Sequence, residues 1–209
     1  MSWFRPGRVA TALGLLLASV TLAVAALPKG APDPDLDAAA GQFLVASPDI
    51  GDPRFYHAVI LMVRHDKTGA FGIIINHPLG ERPMAELMAA IGDNAAGVTG
   101  SVRLFAGGPV EPGIGFVVHS PEYHRGETMG IDDQLAVTSS LEVLRDIGHG
   151  KGPRQSLIAF GYAGWGAGQL EDELAQGGWF TEPADPKLVF AQDPAKVWDA
   201  AVARRSFPL

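Results

Sequence analysis

Residues 157–168 read Leu-Ile-Ala-Phe-Gly-Tyr-Ala-Gly-Trp-Gly-Ala-Gly, the most distinctive stretch of the chain. The apolar run 157–160 predicts a strand, and the glycines after it predict a turn leading into a helix near Gln169. A strand, a glycine loop and a helix N-terminus can form an anion site, because free N–H groups point at the loop. The alternative is a tight structural turn whose glycines allow close backbone approach, with Tyr162 and Trp165 packing over it.

The residues that follow this stretch favour the structural alternative. The stretch lacks the lysine and the serine or threonine of a nucleotide-binding loop, and it lacks the spacing of a dinucleotide loop. Glu171, Asp172 and Glu173 fall in the first turn of the predicted helix, where they would themselves complement its dipole. A role in lining a ligand site stays open, but a phosphate ligand is disfavoured.

The rest of the chain predicts short strands, turns and a few helices. A hairpin is expected from two apolar runs around a polar turn at 65–69, and strands outnumber helices, which favours a mixed α/β sheet over a doubly wound one. Strands are predicted at 42–46, 59–63, 71–75, 102–105, 114–118 and 188–190. Helices are predicted after Pro83, after a capping box of Ser139 and Glu142, and after Asp193-Pro194.

Composition bounds the class of protein. The chain has 209 residues, 47% of them hydrophobic and 19% charged, so one domain with a sizeable core is expected. The net charge of −7 opposes binding to phosphate backbones. The chain has no cysteine, which excludes disulfides and thiolate metal sites.

The N-terminus has the order of a secretory signal peptide. Arg5 and Arg8 precede an uncharged run over 9–27, and small residues near Ala26 suit a signal peptidase. We therefore expect a signal peptide or membrane anchor at 1–26, a Pro- and Asp-rich linker at 27–40 and a single domain at 41–209. The protein would then be exported, periplasmic or tethered to the inner membrane. The alternatives are a buried N-terminal helix or a misassigned start, which would leave the protein cytoplasmic.

No pattern indicates an enzyme class. The six histidines show no metal-binding spacing, and there is no nucleophile elbow. We expect no cofactor and no metal. His119 and a carboxylate such as Glu171 could act as acid and base only if the fold brings them together.

Several motifs, taken in order, resemble the AlgH/YqgE family of bacterial proteins. The resemblance runs from about Gly41 to Trp198, and one departure is Ser47, where the family usually has methionine. The motifs are Phe43-Leu44-Val45-Ala46, Asp52-Pro53-x-Phe55, His65 with Gly69-Ala70-x-Gly72, Asn76-x-Pro78, Gly107-Gly108-Pro109-Val110, Gly161-Tyr162-Ala163-Gly164-Trp165 and Gln169-Leu170-Glu171. The resemblance implies an α+β fold with a mixed, bifurcated β-sheet that is curled into a pseudo-barrel and flanked by helices.

The resemblance implies no catalytic residue and no cofactor, although the family is often labelled a transcriptional regulator. The preferred hypothesis is a regulatory or binding module that acts through a protein partner or a small ligand. A His/carboxylate enzyme is the second hypothesis, and a transcriptional regulator is the third, since neither the acidity nor the leader suits contact with DNA. The candidate binding residues are Asn76, Gly107, Gly108, Pro109, His119, Gly161, Tyr162, Gly164, Trp165 and Glu171.

Overall fold

The computed structural model of the chain describes residues 40–205. The predicted leader at 1–26 and all but the last residue of the predicted linker at 27–40 lie outside the described residues. None of the helices within residues 40–205 is long and apolar enough to cross a membrane.

Ten strands and five helices make up the described chain. The strands are β1 (Gln42–Ala46), β2 (Val59–Asp66), β3 (Gly69–Ile74), β4 (Pro78–Pro83), β5 (Ser101–Ala106), β6 (Val110–His119), β7 (Thr128–Gly130), β8 (Ala136–Thr138), β9 (Ser156–Gly166) and β10 (Trp179–Pro183). The helices are α1 (Met84–Ala90), α2 (Leu141–Gly148), α3 (Gln169–Ala175), α4 (Pro186–Val189) and α5 (Val197–Arg205). Short 3-10 turns lie at Pro53–Phe55 and Pro194–Lys196.

The strands form one curled sheet that divides at β9. The main path runs β10-β1-β2-β3-β9-β6-β8-β7, and β4 joins through β5. One half of β9 pairs with β3 through residues 163–166, while residues 158–160 pair with β5. The β5–β9 pair is parallel and the other pairs are antiparallel. The predicted α+β fold, with a mixed, bifurcated and curled sheet and flanking helices, is therefore confirmed.

Three hydrophobic clusters hold the sheet to its helices. The largest draws buried side chains from most of the strands and from α4 and α5, including Phe43, Leu61 and Phe116. A second cluster lies between the sheet and α3, around Trp165 and Leu170. The third lies beneath α1 and α2. The predicted strand 59–63 is buried along its whole length, as expected for a central strand covered on both faces.

The predicted glycine turn at 161–168 is wrong. Strand β9 continues through most of it to Gly166, and only Ala167 and Gly168 turn the chain into α3. Antiparallel pairing with β3 holds the glycine-rich half of β9 extended despite its few side chains. Because no glycine loop separates strand from helix, the anion site that such a loop would form is absent there.

Two further local predictions are wrong. The apolar run at 188–190 belongs to α4 and its end, because Asp185 caps that helix through the Lys187 N–H and Pro186 suits its first turn. The cap of α2 is Ser140, whose hydroxyl accepts from the Glu142 N–H at 3.1 Å, and not Ser139.

Candidate functional site

Three glycines allow the link between β5 and β6 to cross the middle of β9. A Cβ atom on Gly107 would lie 2.3 Å from the Gly161 oxygen, and one on Gly161 would lie 2.5 Å from the Gly108 oxygen. Gly161 has φ +74°, a conformation that L side chains rarely adopt. We call Gly107, Gly108 and Gly161 the glycine crossing. All three predicted candidates allow close backbone approach, and for Gly161 this is part of the structural alternative that the sequence raised.

The glycine crossing places Tyr162 beside two phenylalanines. The Tyr162 ring lies 4.9 Å from the Phe71 ring at 54°, and 6.1 Å from the Phe116 ring at 83°. Phe116 is buried, whereas Phe71 and Tyr162 are half-buried. Glu111 follows Val110, the residue that pairs with Tyr162 across the two strands. We call Phe71, Glu111, Phe116 and Tyr162 the Tyr162 site.

The electrostatics of the Tyr162 site are set by burial and by one carboxylate. Burial raises the pKa of the Tyr162 hydroxyl, and the negative charge of Glu111 raises that pKa further. The hydroxyl therefore stays protonated at neutral pH and can donate a hydrogen bond. Glu111 has φ +46°, unusual for a residue with a side chain, and forms no ion pair within residues 40–205.

Gly164 makes room for the Tyr162 ring. It is exposed, it lies directly opposite Phe71 in the β3–β9 pair, and a Cβ atom there would be 3.1 Å from Cε2 of Tyr162. A side chain at 164 would share the face that Phe71 occupies. Pro109, the last residue of the Gly107-Gly108-Pro109 motif, is exposed on the same link.

Asn76 is a buried structural residue rather than part of a surface. Its Oδ1 accepts from the Val59 N–H at 2.9 Å, and its Nδ2 donates to the His57 carbonyl at 2.8 Å. It thus continues the contact between β2 and β3 beyond the end of β3.

His119 is fully buried and fully bonded. Its Nδ1 lies 2.8 Å from the Ser120 carbonyl, which can only accept, and its Nε2 lies 2.9 Å from the Thr138 hydroxyl. These partners suit a neutral ring that donates from Nδ1 and accepts at Nε2. Burial lowers the pKa of His119, which favours the same neutral form.

The structure does not bring His119 and Glu171 together. His119 pairs with Ser156, the first residue of β9, whereas Glu171 follows the other end of that strand in α3. Ten residue steps of extended strand separate those ends, about 30 Å along the chain. Glu171 instead bonds His65, with Nε2 and Oε1 2.6 Å apart. Within residues 40–205 no group of three or more histidine and acidic side chains could hold a metal ion.

Trp165 is buried and anchors α3 to the sheet. Its Nε1–H donates to Oε2 of Glu173 at 2.9 Å, and Trp179 donates to the same oxygen at 2.8 Å. The Phe55 ring lies 5.2 Å from Trp179 and 6.5 Å from Trp165. The sequence placed Trp165, together with Tyr162, over a glycine turn; in the structure Trp165 lies within β9 and packs with Trp179 next to α3, and Trp179 and the shared acceptor were not predicted.

A stack of three rings was also missed. His57, at φ +54°, lies between Tyr56 at 3.9 Å and Trp198 at 3.8 Å. Tyr56 is 59% exposed, and Leu79 is the other large hydrophobic residue exposed within residues 40–205. Only the tertiary fold joins these segments, so no sequence pattern could have found the stack. The same holds for Phe71 and Glu111 beside Tyr162.

These features define an α+β protein with a bifurcated half-barrel sheet and a glycine crossing at its branch. A family model described as AlgH-like matches residues 43–209. The chain therefore belongs to the AlgH-like family, as its motifs indicated.

Relatives and solved structures agree with this assignment. A UPF0301 protein of Methylococcus capsulatus is 43% identical over 169 residues, which is 81% of this chain and 92% of the relative. A UPF0301 protein of Jannaschia is 46% identical, covering 80% and 88% of the two chains. The solution structure of AlgH from Pseudomonas aeruginosa superposes with a TM-score of 0.68 at 36% identity, covering 86% and 94%. A crystal structure from Corynebacterium diphtheriae shares the fold, with a TM-score of 0.63 at 22% identity, covering 88% and 92%.

Proposed function

We propose that this protein is a non-catalytic binding module and that it binds a small ligand at the Tyr162 site. The observation that carries this proposal is the pair of half-buried rings, Phe71 and Tyr162, 4.9 Å apart, with the charge of Glu111 acting on the Tyr162 hydroxyl. Small-molecule sites are usually built from apolar and aromatic side chains with a few polar groups that fix orientation. The Tyr162 hydroxyl and the Glu111 carboxylate supply such groups.

The local backbone supports a site that is built for binding. Glu111 holds a left-handed conformation that a residue with a side chain adopts at a cost, and such strain is concentrated at functional positions. Gly164, opposite Phe71, lets the Tyr162 ring lie over the backbone of β9, where a larger side chain would displace it. Together these features place two half-buried rings within reach of the charge of Glu111.

Binding is preferred to catalysis and to regulation through DNA. His119 pairs with the first residue of β9 and Glu171 lies beyond its last residue, so this acid–base pair cannot act on one substrate. The net charge of −7 opposes a phosphate backbone.

A fragment screen by saturation-transfer NMR tests the proposal with two matched variants. Gly164→Val places a side chain against the Tyr162 ring and should abolish binding. Gly166→Val makes the same change two residues along β9, where the nearest atom to a new Cβ would be Oε1 of Gln169 at 4.0 Å. We expect fragments that bind the wild type and Gly166→Val to lose their signal with Gly164→Val. The proposal would be overturned if no fragment binds the wild type, or if the fragments bind Gly164→Val as well as they bind the wild type.

A further inference from the structure

The rings of the Tyr162 site are inclined to one another rather than coplanar. Phe71 and Tyr162 meet at 54° with centroids 4.9 Å apart, and Phe116 lies edge-on behind Tyr162. The face of an aromatic ring carries the negative part of its quadrupole. The two inclined rings form a corner, and a positive group over either ring face, within about 6 Å of its centroid, is therefore favoured.

Glu111 adds a full negative charge to this corner. Its neighbour Val110 pairs with Tyr162, and its charge acts on the Tyr162 hydroxyl. Several other surface carboxylates bind an arginine, such as Asp146 with Arg125 and Asp185 with Arg204. For Glu111, residues 40–205 supply no such cation.

The ligand must suit both the rings and the carboxylate. A neutral apolar ligand would cover the rings but would leave the Glu111 charge without a partner in a less polar setting, which is unfavourable. An anion would be repelled by Glu111 and by the net charge of −7. An organic cation satisfies the rings through cation–π contact and the carboxylate through charge.

From this geometry, and resting on the proposed function, we infer that the Tyr162 site binds a small alkylammonium ion. The carbon substituents of the ammonium lie against Phe71 and Tyr162, and Glu111 neutralises its charge. A quaternary ammonium and a primary amine share this chemistry, and separate probes distinguish them.

Isothermal titration calorimetry provides the test, with choline as the quaternary probe and n-butylammonium as the primary one. The neutral probe is 3,3-dimethyl-1-butanol, which has the shape of choline without its charge. We expect at least one cation to bind the wild type about tenfold more tightly than the neutral probe, and Glu111→Gln to remove that preference. Glu127→Gln, which changes an exposed glutamate on another loop, should leave it intact. Higher salt should weaken binding of the cation.

The outcomes separate this inference from the proposed function. If the neutral probe binds as tightly as both cations, or if Glu111→Gln changes nothing, the alkylammonium inference is wrong, but the site can still bind another ligand. If neither cation binds, the inference is again wrong. The proposed function is judged separately, by the loss of fragment binding in Gly164→Val.

Discussion

Gly108 lies so close to Tyr162 that a Cβ atom on residue 108 would fall 2.1 Å from the carbonyl carbon of Tyr162. This contact fixes the β5–β6 link against β9 at the point where the sheet divides. It also places Val110 opposite Tyr162 in the β6–β9 pair, and the charge of the next residue, Glu111, acts on the Tyr162 hydroxyl. The same backbone contact therefore forms the fold and positions the candidate site.

Replacing Gly108 by alanine should destabilise the whole domain. The new methyl group would meet backbone atoms of Tyr162 and Ala163, which cannot move aside independently, at a residue with φ +154°. We expect the free energy of unfolding to fall by about 3 kcal/mol, measured by urea denaturation. Gly113→Ala is the control, because nothing lies within 4 Å of a Cβ there. Equal midpoints for the two variants would contradict the role given to the glycine crossing.

Removing the Glu173 carboxylate should loosen α3. Glu173→Ala leaves the indole N–H groups of Trp165 and Trp179 without their shared acceptor. An unpaired buried donor costs about 1–3 kcal/mol, so stability should fall by about 2 kcal/mol, with a change in tryptophan fluorescence. The neighbouring exposed Asp172→Ala should change neither. If Asp172→Ala has the larger effect, the shared acceptor does not hold this helix.

The domain should lose stability as the pH falls below neutral. Burial lowers the pKa of His119 and of His77 below 6.5. As the pH falls, these two histidines therefore become protonated in the unfolded chain before they do in the folded chain. The two neutral histidines make their full contribution to stability above pH 6.5, and this contribution is lost as the pH falls towards their folded-state pKa values. The free energy of unfolding should then fall by less than about 1.4 kcal/mol per pH unit for each histidine.

His119→Gln tests this assignment. We expect its stability to vary less between pH 7 and pH 5.5 than that of the wild type, measured by denaturation at each pH. His124→Gln, which replaces an exposed histidine, should keep the wild-type slope. An unchanged slope in His119→Gln would show that His119 does not contribute.

We also propose that the domain acts outside the cytoplasm. Arg5 and Arg8, the uncharged run that follows and the small residues near Ala26 support export. Cell fractionation with intact-mass measurement should find a periplasmic form that lacks residues up to about Ala26, or a full-length form in the membrane. A soluble cytoplasmic product would contradict export.

The sequence predicted strands best where burial decided them. The run at 59–63 is apolar throughout because both of its faces are covered. A continuous apolar run of this length indicates a buried central strand from the sequence alone. The glycine-rich half of β9 was mistaken for a turn, because pairing with β3 compensates for weak local preference. The residues 188–190 were mistaken for a strand, since a run of three apolar residues does not distinguish strand from helix.

The candidate site was only partly predictable. The sequence indicated Tyr162 as a candidate because it lies within the glycine-rich stretch 161–168. Phe71 and Glu111 reach Tyr162 only through the register of β3 and β6 on β9, and a register does not follow from composition. His119 and Trp165 were singled out by residue type, but both are buried and bonded within the fold.

Titration of isotopically labelled protein with choline and with n-butylammonium, followed by two-dimensional NMR, tests ligand binding at the Tyr162 site most directly. We predict that at least one of these cations causes saturable shifts of the Glu111, Tyr162 and Gly164 amides and no shift around the exposed Tyr56, and that Gly164→Val loses this response. Amides that shift equally at Tyr56 and Tyr162, or that do not shift with either cation, would contradict an alkylammonium site at Tyr162.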